Sequence, residues 1–232
     1  LYFMDYSSDR WSMSEVIWPV EAYREDIIKM GSDAMNYQNW VDLYNYTFTN
    51  GNSQVSAYWR HLYRGINFAN QILEKSKKVP AAKLPDAERV RLMAEAHFLR
   101  GYYHMRLLLN WKEIVIRDQY ITSGEPSELD KALSSRSACW DFVVKDLNAA
   151  TALPESHSTE NIGRATRGTA YAYLGWAYLT RAAEENQAKD DHLKKAIDAF
   201  NKVTGYELNP NFAGMFNGQS ENSKESIFEM QF

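Results

Sequence analysis

The chain has 232 residues, with 26 Lys and Arg against 30 Asp and Glu for a net charge of −4. That balance, without any Lys/Arg-rich block, argues against a nucleic-acid-binding surface. The single cysteine, Cys139, excludes an internal disulfide and a cysteine-based zinc site, and no apolar run approaches the ~20 residues of a membrane-spanning helix.

In chain order, the first fifty residues have no clean period. "SEVIWPVEAYREDIIKM" (14–30) has helical character interrupted by Pro19. "NYQNWVDLYNYTFTNGN" (36–52) mixes aromatic rings with Asn and Gln and reads as ordered loop. From Ser53, a favourable N-cap, Val55, Trp59, Leu62, Ile66, Ala69 and Leu73 recur at steps of four and three and define one helix face. Lys75, Lys77 and Lys78 close it, where cations suit the helix dipole. A second long helix follows Pro85-Asp86, with Val90, Ala94, Phe98, Gly101 and Met105 as its stripe. Residues 111–133 break the pattern: "EIVI" (113–116) is strand-like and "TSGEPSE" (122–128) is a loop. Ser134 or Ser135 caps a third helix whose apolar face is Cys139, Val143, Leu147 and Ala150 and which ends at Leu153-Pro154. A fourth helix is expected from about Ala165 to Glu184 and a fifth from about Asp190 to Val203. The closing "ESIFEMQF" (225–232) alternates as a strand would.

Gly163 and Gly168 have the glycine spacing of a phosphate-binding loop. That loop also needs a Lys to reach the phosphates and a hydroxyl to hold Mg²⁺, and Thr169 and Ala170 occupy those positions. The glycines are therefore read as structural: Gly163 and Gly168 ease the turn into the fourth helix, and Gly175 within it allows a second helix to approach closely. Tyr171, Leu174, Gly175 and Tyr178, followed by Ala196 and Phe200, fit the two helices of a tetratricopeptide hairpin with a lengthened loop. Val143, Leu147, Ala150 and Pro154 resemble the second helix of an earlier, looser pair. The expected fold is mainly α: a tetratricopeptide-like helical-hairpin scaffold with long aromatic-rich loops and a few short strands.

Five blocks occur in fixed order: "YWRHLYRGINFANQILE" (58–74), "RLMAEAHFLRGYYHMRLLLNW" (91–111), "WDFVVKDLNAATALP" (140–154), "GRATRGTAYAYLGWAYL" (163–179) and "ENSKESIFEMQF" (221–232). Each alone is a weak helix motif. Together they resemble the SusD/RagB family of Bacteroidetes outer-membrane nutrient-binding lipoproteins, and "GSDAM" (31–35) corresponds to a short Gly-x-Asp segment near that family's start. The resemblance implies a non-enzymatic protein, lipid-anchored in the cell-surface leaflet of the outer membrane. Such a protein captures oligosaccharides or peptides as the lid of a SusC-like TonB-dependent transporter. Where the family often has Tyr-Gly-x-x-Pro, this chain has Trp111-Lys112-Glu113-Ile114-Val115-Ile116. Members are usually much longer, so residues 1–232 are expected to form a single SusD-like helical domain, the N-terminal part of a longer lipoprotein. The alternative is a tetratricopeptide-type protein-interaction module without a small-molecule ligand.

No catalytic constellation, cofactor motif or metal-ligand pattern emerges from the residues. The five histidines (His61, His97, His104, His157, His192) are scattered and none follows a Glu by three. His97 and His104, seven apart, read as buried or interfacial, and Cys139 as a buried thiol. One cluster fits substrate binding: Tyr37, Trp40, Tyr44 and Tyr46, interleaved with Gln38, Asn39 and Asn45. Aromatic faces stack on the C–H faces of sugars while amides bond their hydroxyls. The other reading is that these rings pack the segment onto the helices. If the chain is a transporter lid, some of Trp11, Trp18 and Trp40 are expected to face the transporter or the ligand cavity between the two proteins.

Overall fold

The computed structural model describes residues 19–25 and 27–229. Seven α-helices lie wholly among them: α1 (Gln38–Tyr44), α2 (Ser53–Lys75), α3 (Asp86–Asn110), α4 (Pro126–Leu129), α5 (Arg136–Ala150), α6 (Arg167–Glu184) and α7 (Lys189–Phe200); residues 19–21 are helical as well. The chain divides into two compact units, Leu1–Gly65 and Ile66–Phe232, with the division falling inside α2.

In the second unit, the long helices pair antiparallel, as their side-chain contacts show. His97 meets Asp146, His104 meets Phe142, and Arg136 reaches the carbonyl of Leu108, so α3 and α5 run in opposite directions. Arg136 and Trp140 meet Glu184 while Arg167 reaches the carbonyl of Leu153, which sets α6 antiparallel to α5. Tyr178 stacks on His192 and Lys202 lies over Tyr171, so α7 runs back along α6. This is the expected hairpin scaffold. The face Cys139, Val143, Leu147 and Ala150 is fully buried, and so is Trp140. On α3 the expected stripe is buried from Ala94 onward, whereas Val90 is 54 % exposed, because the first turns of that helix extend beyond the core.

The glycines act as spacers. A Cβ on Gly175 would lie 2.5 Å from the Phe200 ring of α7, and one on Gly101 would lie 3.2 Å from Asp146 of α5. Gly163 has φ +86°, a left-handed turn that L residues resist. α6 itself starts with a reciprocal cap, Thr166 Oγ1 accepting from Thr169 N–H at 3.2 Å and Thr169 Oγ1 from Thr166 N–H at 3.1 Å.

Four expectations need correction. "TSGEPSE" (122–128), read as loop, includes the start of α4 at Pro126, a turn too short to carry a helical period. Asn52, not Ser53, caps α2: its Oδ1 accepts from Gln54 N–H (3.0 Å) and Val55 N–H (3.3 Å). The stretch read as loop contains α1, whose seven residues are too few to show a helical period. Of the expected strands, "EIVI" forms only one antiparallel bridge, Ile114 to Ser134, and no strand is formed by 225–229 among the described residues. A lone bridge suffices there because Ile114 is fully buried and Arg117 is held by the carbonyls of Glu128 and Leu129.

The core of the second unit encloses a charged network. Asp146 is wholly buried; Arg100 donates to both its oxygens at 2.7 Å, and His97 Nδ1 is 2.8 Å from one of them. Burial pushes the Asp146 carboxyl up, but the bonds from Arg100 and His97 outweigh it and hold the group below its ordinary range. Arg100 also donates to Asn70 Oδ1 at 2.8 Å, and Asn70 Nδ2 donates to the carbonyls of Arg117 and Gln119, each at 3.0 Å. His104 is buried and lowered to about 4, chiefly by desolvation. It is thus neutral, its Nδ1 donating to the Arg100 carbonyl and its Nε2 accepting from Arg117 N–H. Both histidines therefore serve the fold, as does Cys139, whose thiol is pushed up by burial.

Candidate functional site

All four candidate residues lie in the first unit, on and around α1. The helix turns Leu43 inward, where it is fully buried, and leaves the ring-bearing positions half-buried or exposed. Tyr37 immediately precedes the helix, three residues before Trp40, a spacing that puts both on one side of a helical turn. Their rings stack, with centroids 4.5 Å apart and planes 17° apart. Tyr23 meets the same indole edge-on at 5.8 Å and 63°. Trp40 is half-buried between these partners, and its Nε1 is enclosed with no hydrogen-bond acceptor among the described residues.

Tyr37, the other ring of the stack, is 37 % exposed. Tyr46 is 63 % exposed, at a left-handed φ of +59°, and its hydroxyl donates to the Arg24 carbonyl. Tyr44 is half-buried and shares no described ring contact with the stack. The structure therefore joins Tyr37 and Trp40, holds Tyr46 at a turn after the helix, and leaves Tyr44 apart from the stack.

The amides divide as well. Asn39 Nδ2 donates to Ser53 Oγ at 2.8 Å and the Asn39 carbonyl accepts from Asn52 Nδ2 at 2.8 Å, so Asn39 serves to tie α1 to the start of α2. Gln38 donates to Asp42 at 2.7 Å. The exposed Asn45 makes no side-chain hydrogen bond among the described residues. Sequence reasoning missed Tyr23, which lies outside the aromatic–amide stretch and carries no local signal, and Phe48, 37 % exposed two residues after Tyr46. The "YTFT" alternation was the available sign of Phe48. Trp11 and Trp18 lie outside the described residues.

What this surface offers is a partly exposed aromatic ring, stacked on a second ring that a third meets edge-on, with the exposed Asn45 amide nearby in sequence. That is suited to a ligand with an apolar face and polar edges. Comparison with known proteins decides the lineage. The family model SusD-like_3, described as starch-binding associating with outer membrane, matches residues 11–179. The chain belongs to the SusD-like family. A SusD-like protein of Bacteroides ovatus is 24 % identical over 219 residues, which cover 90 % of this chain and 39 % of the relative. A solved SusD superfamily protein from Bacteroides vulgatus is 26 % identical with a TM-score of 0.74, covering 93 % of this chain and 44 % of that one. The solved structure of a laminarin binding SusD-like protein superposes with a TM-score of 0.77 at 24 % identity, over 93 % of this chain and 46 % of its own. The chain spans 39 % and 40 % of the lengths of the two curated relatives it matches. Membership accounts for the helical hairpins: SusD-like neighbours share this tetratricopeptide-like scaffold.

Proposed function

We propose that this chain is part of a non-catalytic outer-membrane binding protein that captures an oligosaccharide and acts as the lid of a SusC-like TonB-dependent transporter. The observation that carries the ligand half is the Tyr37–Trp40 stack. Tyr37 keeps 37 % of its surface exposed while Tyr23 meets Trp40 edge-on, so the rings are already ordered and little conformational freedom is lost when a sugar ring stacks on them. Tyr46 and Asn45 supply a second ring and an amide after the same helix. The lid half, with its lipid anchor in the outer leaflet, rests on family membership and on the family's association with the outer membrane. Among the described residues no helix is long and apolar enough to cross a membrane.

Calorimetric titration with neutral oligosaccharides, laminarin fragments among them, is expected to show binding that falls about tenfold or more in Tyr37→Ala, a loss of ~1.4 kcal/mol. Binding of peptides in place of sugars, or sugar binding indifferent to Tyr37 and Trp40, would remove the saccharide reading. Purification from native membranes in mild detergent is expected to bring down a β-barrel protein in equal amount. A complex of that stability buries more than ~1,000 Å², and recovery of the protein alone would end the lid assignment.

A further inference from the structure

A groove of about 520 Å³ lies in the second unit, between residues 155–168 at the start of α6, residues 202–206 after α7, and residues 222–229. Its volume falls within the ~300–1,000 Å³ typical of small-ligand sites. The walls are tied together. Thr169 Oγ1 donates to the Ile227 carbonyl at 2.9 Å, and the Tyr206 and Thr166 hydroxyls are 2.9 Å apart. Asn209 N–H donates to Glu225 at 2.7 Å, and Glu207 N–H to the Lys224 carbonyl at 3.1 Å. Gly168 is part of this construction, because a Cβ there would lie 2.5 Å from the Tyr206 ring.

Three cations line the groove, Arg164, Arg167 and Lys202, against the two acids Glu155 and Glu229. Arg164 is engaged, forked onto Glu95 at 2.9 and 2.7 Å. The other two have capacity to spare. Arg167 uses Nε on the Leu153 carbonyl and Nη1 on Glu155, whose side chain is 82 % exposed, and its Nη2 has no partner among the described residues. Lys202 rests 5.3 Å above the Tyr171 ring and has no carboxylate partner among the described residues. Hydrogen-bonding groups for a hydroxyl-rich body stand beside them. His157 Nε2 donates to the Ala165 carbonyl, which leaves Nδ1 for a further hydrogen bond, and Thr204 and Ser226 contribute hydroxyls.

We infer that this groove is a second saccharide site, separate in sequence from the α1 platform, and that it takes sugars bearing carboxylate or sulfate groups. The anion sits on Arg167 Nη2 and the Lys202 ammonium, where charge-assisted bonds are stronger than neutral ones, while the exposed Glu155 is free to swing away into solvent. The saccharide part of this inference rests on the function proposed above; the preference for acidic sugars rests on the groove alone.

The test titrates the full chain with tetragalacturonate, with a sulfated tetrasaccharide, and with a neutral tetrasaccharide. Binding is followed by calorimetry and by the backbone amide signals of Thr204 and Gly205. At least one acidic probe is expected to bind and move those signals, and which one it is identifies the anion. Lys202→Gln and Arg167→Gln are each expected to weaken that binding about tenfold, and added salt should weaken it further. Lys202 is a surface residue, so Lys202→Gln should melt as the parent does, which separates lost affinity from lost folding. The inference is overturned if neither acidic probe binds, if neutral and acidic probes bind the groove alike, or if acidic binding ignores both Lys202→Gln and salt. Acidic binding lost in Trp40→Ala but kept in Lys202→Gln would place the ligand on the α1 platform, which ends the groove assignment and leaves the proposed function standing. Failure of the neutral probe alone bears on the platform and not on the groove.

Discussion

Helices α3, α5 and α6 and the segment from Asn36 to Asn52 use their polar side chains in opposite ways. In the helical body, charged groups pair across the chain: Arg100 with Asp146 over 46 residues, Arg136 with Glu184 over 48, Arg164 with Glu95 over 69. In the segment around α1 the partners are nearer in sequence, Gln38 with Asp42 over 4 residues, Asn39 with Ser53 over 14 and Tyr46 with the Arg24 carbonyl over 22. Long-range pairs form only once the tertiary fold is assembled, and when buried they make that assembly costly to disturb. Pairs nearer in sequence hold a local shape without enclosing the rings that the segment presents. The first region holds the buried long-range ion pairs, and the second carries the saccharide platform proposed above.

The sharpest way to break that contrast is at Asp146. Asp146→Ala leaves the Arg100 guanidinium buried without its counter-charge, and chemical denaturation is expected to report a loss of ~3–5 kcal/mol. The pH dependence has a definite sign. The Asp146 carboxyl is held below its ordinary value of 3.8, so its contribution is complete above that value and is lost as pH falls through the depressed one. Acid unfolding of the parent should therefore be steeper below pH 3.8 than that of Asp146→Ala; matching acid limbs would show that Asp146 carries no such role. A smaller effect is expected at Gly175. Leucine there meets the Phe200 ring, and ~1–3 kcal/mol should be lost to overpacking, part of it recovered in the double variant with Phe200→Ala. Strict additivity would mean that the two residues do not touch. The smallest effect belongs to the α1 region. Asn52→Ala removes the cap of α2 at a cost of about 1 kcal/mol, and hydrogen exchange should quicken at the Gln54 and Val55 amides while α5 is unaffected. Faster exchange throughout α5 would show that the local pairs are not local in effect.

Most of the helical architecture was legible in the sequence, because burial of one face imposes its period directly. Cys139, Val143, Leu147 and Ala150 came out as a buried face, and Gly175 as a point of close helix approach. α1 was not legible: seven residues span about two turns, and the Asn and Gln that suggested loop turned out to be tied to Asp42 and Ser53. The short strands were misread because alternation at 113–116 reports one buried residue, Ile114, and not a ladder. Of the candidate site, Tyr37 and Trp40 were singled out by their aromatic–amide surroundings, while their stacking follows from a helix that the sequence did not reveal. Tyr23, the edge-on partner of Trp40, was not singled out, since nothing in a lone Tyr seventeen residues upstream announces the contact. The charged network was equally hidden, as no local pattern links Asn70, Arg100 and Asp146.

That network also governs how the protein can drift over generations. Arg100 bonds to both Asp146 and Asn70, so a change at any of the three positions leaves a buried group short of a partner. Replacing one member is expensive, whereas replacing the ion pair with well-fitted apolar residues is often neutral or better. Between those two solutions lies a valley of poorly folding intermediates that single substitutions must cross. Asn70, Arg100 and Asp146 should consequently be inherited as a set: lineages that keep one keep all three, and lineages that lose one carry compensating changes at the others.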